Sequence, residues 1–263
     1  MISALRQLAR ISRLSWALYL ADIQIWILFL VQFPRGLAQA LFFFYLANAA
    51  GGYDQARFAL IGNAIHISAL YAMLYMSGII ENDKWNGTLI FKVAAPGNWL
   101  VSMLGLSAAQ YTTVFSISMV IFVVFIPTSV PDISWLNFLR AIPLIFMTIV
   151  SVGTFGWLIG SAAFTTRWVE MLDNVVAYTL MIVCGINFPI SALPDIIRVI
   201  SQFVPLTNGL LAVRAVIDGA SYASILHLIG SEIVIAFIYG AAAWITFHYR
   251  LTSLRRSGNF ELM

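Results

Sequence analysis

Charge is scarce in this chain: Asp, Glu, Lys and Arg together make up only 10% of its 263 residues, while apolar residues make up 61% and mean hydropathy is +0.91. That balance excludes a soluble domain of this length and points instead to a polytopic membrane protein. Cysteine is scarcer still. The single Cys184 excludes an internal disulfide and any CxxC metal or redox site, and reads as a packing residue. No glycine-rich phosphate loop precedes Lys84 or Lys92, so this chain does not hydrolyse ATP by itself, and no cofactor is expected within it. The three histidines, His66, His227 and His248, carry no HExxH or paired-carboxylate spacing, which argues against a bound metal or an intramembrane metalloenzyme. The net charge of +3 comes without basic and aromatic interleaving outside the apolar runs, so no nucleic-acid partner is expected and headgroup contact accounts for the excess.

What is abundant is long apolar sequence. A transmembrane helix needs roughly 20 apolar residues, and six windows qualify, at about 26–49, 58–80, 99–127, 137–163, 169–187 and 223–247. The intervals are too short and too apolar to hide a soluble domain. The fold class expected is therefore all-α integral membrane, a single transmembrane domain over residues 1–263.

The N-terminus, interrupted by Arg6, Arg10 and Arg13, does not read as a cleavable signal peptide. On a helical wheel those arginines share one face while Leu5, Leu8, Ile11 and Leu18 occupy the other. Residues 1–31 thus read as an interfacial amphipathic region, with the crossing proper beginning near Pro34 and Arg35.

Lys and Arg distribute unequally between alternate sides. One side holds Arg6, Arg10, Arg13, Arg35, Lys84, Lys92, Arg167, Arg250, Arg255 and Arg256; the other holds Arg57, Arg140, Arg198 and Arg214. Positive charge stays cytoplasmic, so both termini are placed inside and the chain in the cytoplasmic membrane. Asn86 then lies on the wrong face for glycosylation, and Asn86-Gly87 reads as a turn.

Polar residues inside spans are costly and therefore candidates for function. Asn63 and His66 stand three apart in the second window, Gln110 lies in the third and Glu232 in the sixth. Each is read either as a pathway residue or as a maker of interhelical hydrogen bonds. Gly153, Gly156 and Gly160 in the fourth window mark close helix packing, within or between subunits.

Two non-spanning segments carry the most specific signal. The first, "ENDKWNGTLIFKVAAPGN" at 81–98, leaves the second span at Glu81, turns at Asn86-Gly87, offers Leu89, Ile90, Phe91 and Val93 for a short amphipathic helix, and breaks at Pro96-Gly97. The second runs from Gly185 to Gly219 on the opposite side and is divided by Pro189, Pro194 and Pro205. Between the last two prolines, Asp195, Arg198, Ser201 and Gln202 share one helical face. Such a segment is too short to span. It would dip in and return, packing on its neighbours and lidding the outer end of a pathway.

Taken together, an amphipathic N-terminal helix, six spans, an "E.....GTL......P" segment after span two and an "FP.S.LP..........P.T......R" segment before span six resemble the permease of an ABC-2 type transporter. The first motif is Glu81, Gly87, Thr88, Leu89 and Pro96. The second is Phe188, Pro189, Ser191, Leu193, Pro194, Pro205, Thr207 and Arg214. Between the acid and Gly-Thr this chain has Asn82, Asp83, Lys84, Trp85 and Asn86, where the family often has Arg or Lys-rich sequence.

The resemblance implies that 81–98 is a coupling helix, contacting a separate ATPase subunit through Glu81, Trp85, Gly87, Thr88, Leu89, Phe91 and Pro96. The N-terminal helix and the turn at Thr165 to Glu170 would assist. It further implies an outer gate formed as a re-entrant hairpin over 188–205, with Phe188, Pro189, Leu193, Pro194 and Pro205. The expected assembly is two permease chains, identical or homologous, with an ATPase dimer that binds ATP and Mg. The outer motif looks most like antibiotic and multidrug exporters, so a hydrophobic or amphipathic cargo is implied. Export of a polysaccharide or lipid-linked glycan is the alternative within the family. An ATP-independent carrier or channel is the alternative of another class; it predicts paired charges in repeated halves, and Glu232 has no counterpart in the first three spans.

Overall fold

The computed structural model describes residues 2–22, 25–94, 99–162 and 168–257. Among these, every regular element is helical. The helices are α1 (Ile2–Asp22), α2 (Ile25–Ile27), α3 (Phe33–Gly51), α4 (Tyr53–Trp85), α5 (Leu89–Ala94), α6 (Trp99–Thr128), α7 (Trp135–Ser161), α8 (Val169–Val183), α9 (Asp195–Ser201), α10 (Thr207–Ile217) and α11 (Leu226–Ser257).

Among the described residues, five stretches are long and apolar enough to cross a bilayer: 28–51, α4, 101–128, α7 and 222–253. The chain is an all-α integral membrane protein. The fifth expected window is shorter than 169–187: α8 has fifteen residues, about 22 Å at 1.5 Å per residue. It stops where Cys184 leads into Gly185, whose φ of 68° ends the helix.

Helix α4 is the axis of the bundle, touching α3, α6, α7 and α8. Its most apolar window is 78% buried, against 22% for the first span and 17% for the last. The first and last spans therefore present their apolar side chains, such as Phe42, Leu46, Phe237 and Ile238, outward to lipid or to another chain. The α3–α4 reversal is tight because Gly51-Gly52 makes it, and Gly52 at φ 80°, ψ −170° occupies backbone space that side chains disfavour.

The GxxxG pair resolves as packing within the subunit. A Cβ on Gly156 would overlap the backbone of Met73, and one on Gly160 would lie 2.6 Å from the Ser77 carbonyl oxygen, so α7 and α4 meet backbone to backbone.

The N-terminal segment is helical as expected, and it packs on the bundle. Ile11 packs against Gly105 and Ser15 Oγ donates to the Leu106 carbonyl at 2.7 Å, pinning α1 along α6 while Arg10 and Arg13 stay exposed. The side chains of Leu5, Arg6 and Leu18 lie outside the described residues. The first span starts at Leu28, before Pro34 rather than at it. Pro34 lacks the N–H that would bond to residue 30, and a π turn over Leu28–Gln32 absorbs the defect, with Phe33 N–H reaching Leu28 O.

Candidate functional sites at the two ends of the bundle

Alternating spans give the bundle a Lys84 end and an Arg57 end. At the Lys84 end, α4 continues without a break through Glu81, Asn82, Asp83 and Lys84 to Trp85, then turns at Asn86-Gly87. Gly87 adopts φ 66°, the left-handed conformation that lets a helix end abruptly. Thr88 folds back onto Asp83: its N–H donates to the Asp83 carbonyl at 2.9 Å and its hydroxyl to the Asp83 carboxylate at 3.0 Å. This short circuit starts α5. Leu89 anchors it, only 2% exposed, whereas Trp85 at 84% and Phe91 at 75% are displayed on the tip.

The tip thus combines one buried anchor with two exposed aromatics. Glu81 is half-buried nearby, with Lys84 and Glu170 as charged neighbours. Pro96 and residues 165–167 of the companion turn lie outside the described residues. Close by, Asp173 of α8 is buried and accepts a hydrogen bond from Ser77 of α4. Along the outside of α8, Trp168, Glu170, Met171, Asn174, Val175 and Tyr178 line an open groove of about 600 Å³.

At the Arg57 end, the hairpin expected over 188–205 is closed at its base, where Cys184 Sγ lies 3.7 Å from the Pro205 carbonyl oxygen. Its body is less packed than expected. Phe188, Pro189 and Pro194 are exposed, Leu193 is half-buried, and α9 with the turn that follows it carries Ile196, Val199, Ile200 and Phe203 outward. Arg198 pairs instead with Asp195 at 2.6 Å, an ion pair of the helix with itself. The packed leg is α10, buried along most of its length against α7 and α11.

Glu232 explains how α10 starts inside the protein. Its two carboxyl oxygens accept the N–H groups of Leu206 at 2.9 Å and Gly209 at 3.0 Å. These are the orphan donors of a helix N-terminus, and Leu206 holds φ 93° to present one of them. Arg214 secures the other end of the same helix. Its guanidinium donates to the carbonyls of Gly185 (2.8 Å), Ile186 (2.8 Å) and Phe58 (3.0 Å) and stacks 3.3 Å from the Phe58 ring centroid. Gly62 leaves the room: a Cβ there would come 2.7 Å from the guanidinium and would also overlap the Ile186 carbonyl.

A second clamp joins the hairpin to α4. Asn63 Nδ2 donates to Asn187 Oδ1 at 2.7 Å, while Gln39 Nε2 reaches Asn63 Oδ1 at 3.3 Å and His66 Nδ1 at 3.4 Å. Three sequence candidates therefore have concrete neighbours: Asn63 and His66 sit in one network, and Glu232 sits in another. Gln110 joins neither, and its Oε1 has no hydrogen-bond partner among the described residues.

The rim of this end is ionic. Arg57 pairs with Asp132 at 2.7 Å and Asp218 at 2.6 Å, and Tyr53 donates to Asp132. Burial alone would raise the Asp132 carboxyl, but the Tyr53 hydroxyl and the Arg57 guanidinium prevail and hold it below the usual aspartate range.

Sequence reasoning missed Gln32, Arg35 and Gln39 as a set. They stand at i, i+3 and i+7, one helical stripe, and that spacing was readable. Asn187 and Asp173 were not, because each acquires its role from a partner about a hundred residues away.

A family model described as ABC-2 type transporter matches residues 9–217, from within α1 to the end of α10. No curated protein matches the chain.

Proposed function

The chain belongs to the ABC-2 type transporter family, and from that premise we propose that it is the permease subunit of an ATP-driven exporter. A separate ATPase dimer binds ATP and Mg, and a second permease chain, identical or homologous, completes the pathway. The cargo is a hydrophobic or amphipathic small molecule moved outward across the cytoplasmic membrane. In this reading the Lys84 end and both termini face the cytoplasm and the Arg57 end faces out.

One observation carries the reading: the tip from Trp85 to Phe91, where exposed aromatics stand on a turn braced by Asp83, Thr88 and Leu89. Exposed tryptophan and phenylalanine beyond the end of a span suit a protein groove, since such residues anchor interfaces. The exposed faces of the first span and of α8 suit the second permease chain.

The geometry suggests how work crosses the membrane. Helix α4 is one continuous rod of 33 residues, braced at the tip by Thr88 and held at the other end through Phe58 and Asn63. From Asp83 to Phe58 the rod spans about 38 Å. An ATPase closing on ATP displaces the tip, and a stiff α4 passes the displacement to the Arg214 and Asn187 clamps that hold the outer hairpin. Opening then consists of exchanging those hydrogen bonds rather than making or breaking covalent ones.

Transport into inverted membrane vesicles tests this. ATP-dependent accumulation of a hydrophobic dye should be lost in Gly87→Pro, whose fixed φ of about −65° is incompatible with the turn, and in Glu81→Ala, with membrane levels and elution profile unchanged. Undiminished ATP-dependent uptake in both variants would remove the tip from the mechanism.

A further inference from the structure

The first span carries a charge at a depth where charges are rare. Its polar stripe meets α4 in register: Gln32 Nε2 donates to the Tyr75 hydroxyl at 2.5 Å, Arg35 sits over the Tyr71 ring with Cζ 5.7 Å from the centroid, and Gln39 bonds Asn63 and His66. Tyr71 lies about 21 Å along α4 from Arg57 and about 20 Å from Lys84. Arg35 therefore stands opposite the midpoint of the most buried span.

We propose that Arg35 binds the anionic head, a carboxylate or a phosphate, of an amphiphile passing through the membrane. The proposal rests on the transporter reading above and adds the sign of the cargo's charge to it.

Arg35 is exposed on the flank of the bundle, and the Tyr71 ring is its charge-stabilising contact among the described residues. Among the described residues no carboxylate pairs with it. The first span contains no Asp or Glu; Asp54, Glu81 and Asp83 lie at the ends of α4; and Asp173 accepts from Ser77 with Glu81 and Glu170 as its charged neighbours. Gln32 and Gln39 direct their amide donors to α4, so neither competes for an anion at Arg35. What is left is a planar fork of donors, oriented by an aromatic face, which matches the two oxygens of a carboxylate or phosphate.

An ionisable residue within a span is costly to keep, and such residues mark cargo pathways. Bilayer phospholipids hold their headgroups about 15 Å or more from the midplane. Along its own span Arg35 stands seven residues, about 10 Å, inside the Leu28 end, deeper than a resting headgroup, so an anion held there is the head of a molecule in transit.

The probe is 11-(dansylamino)undecanoate, titrated by fluorescence against the purified chain with its bound partners in nanodiscs of phosphatidylcholine. The acid should bind saturably, its uncharged methyl ester at least tenfold more weakly. Arg35→Gln should weaken the acid at least tenfold, and Arg35→Lys, which keeps the charge but loses the planar fork, should fall between the native chain and Arg35→Gln. Equal binding of acid and ester by the native chain would overturn the proposal even if Arg35→Gln fails to fold, as would equal binding of the acid by native chain and a folded Arg35→Gln. Discs with one third anionic phospholipid separate the sources: unchanged acid binding supports cargo, whereas displacement assigns the site to bilayer lipid and overturns the transit reading. An ATPase that co-purifies equally with native and Arg35→Gln chains keeps the two readings separable, because its absence strikes the transporter reading and leaves the anion titration intact.

Discussion

Replacing Glu232 with glutamine separates two roles that an intramembrane carboxyl group can play. In the structure it caps α10, one oxygen to Leu206 N–H and the other to Gly209 N–H. Glutamine fits the same space but offers one acceptor oxygen, so one N–H loses its partner and faces an amide that also donates. A buried donor left unsatisfied costs about 1–3 kcal/mol. Alanine strands both donors, for roughly 2–6 kcal/mol. For a chain of this size the glutamine variant should melt about 2–12 °C lower, and the alanine variant lower still. The assay is loss of the monodisperse peak in size-exclusion chromatography after heating in detergent, followed by transport measured well below both midpoints. The capping account expects graded loss of stability with transport per folded molecule largely kept. Unchanged melting in both variants combined with abolished transport would refute it and make Glu232 a pathway residue.

Two further outcomes follow from the Arg57 end. Arg214→Met removes three hydrogen bonds to the carbonyls of Gly185, Ile186 and Phe58; it should destabilise by roughly 2–5 kcal/mol and, at temperatures where it stays folded, let dye leak across vesicles without ATP, whereas tight vesicles and native melting would show that the clamp holds nothing. Asp132 is held below its ordinary range by Tyr53 and Arg57, so its contribution is fully present above the unfolded aspartate value of about 3.9 and is lost as pH falls through the lower folded value. The native chain should therefore melt earlier as pH drops below about 4, and Asp132→Asn should flatten part of that dependence; identical pH profiles would remove Asp132 from the account.

The spans and the tip were legible because each depends on local sequence. Unbroken apolar runs define α4, α6 and α7, and Asn86-Gly87 announces the turn that ends α4. Interhelical pairing was much less so. His66 and Asn63 were visible as polar residues at i, i+3, but Gln39 and Asn187, which give them partners, come from two other segments. Glu232 stood out by its cost in a membrane, yet its role depends on where α10 begins, which no periodicity in α11 reveals. The prolines of the segment at 185–219 signalled irregular backbone but not which leg is buried: α9 has enough apolar residues to pack, and still it is α10, tied down by Glu232 and Arg214, that occupies the interior. The fifth window overran its helix because hydropathy continues past Val183 while Gly185 turns the backbone.

The most direct measurement is purification of the native chain from its own membranes in mild detergent, with quantitation of any ATP-hydrolysing subunit that stays bound. The account expects one such subunit per permease chain, retained by the native protein and lost by the double variant Trp85→Ala, Phe91→Ala, which exposes no core and should fold normally. As the anchors of this interface, Trp85 and Phe91 should each cost above 1 kcal/mol of binding when truncated, or about fivefold or more. A folded native chain that carries no ATPase, or one whose ATPase is bound equally by the double variant, would contradict the claim that this tip couples ATP hydrolysis to transport.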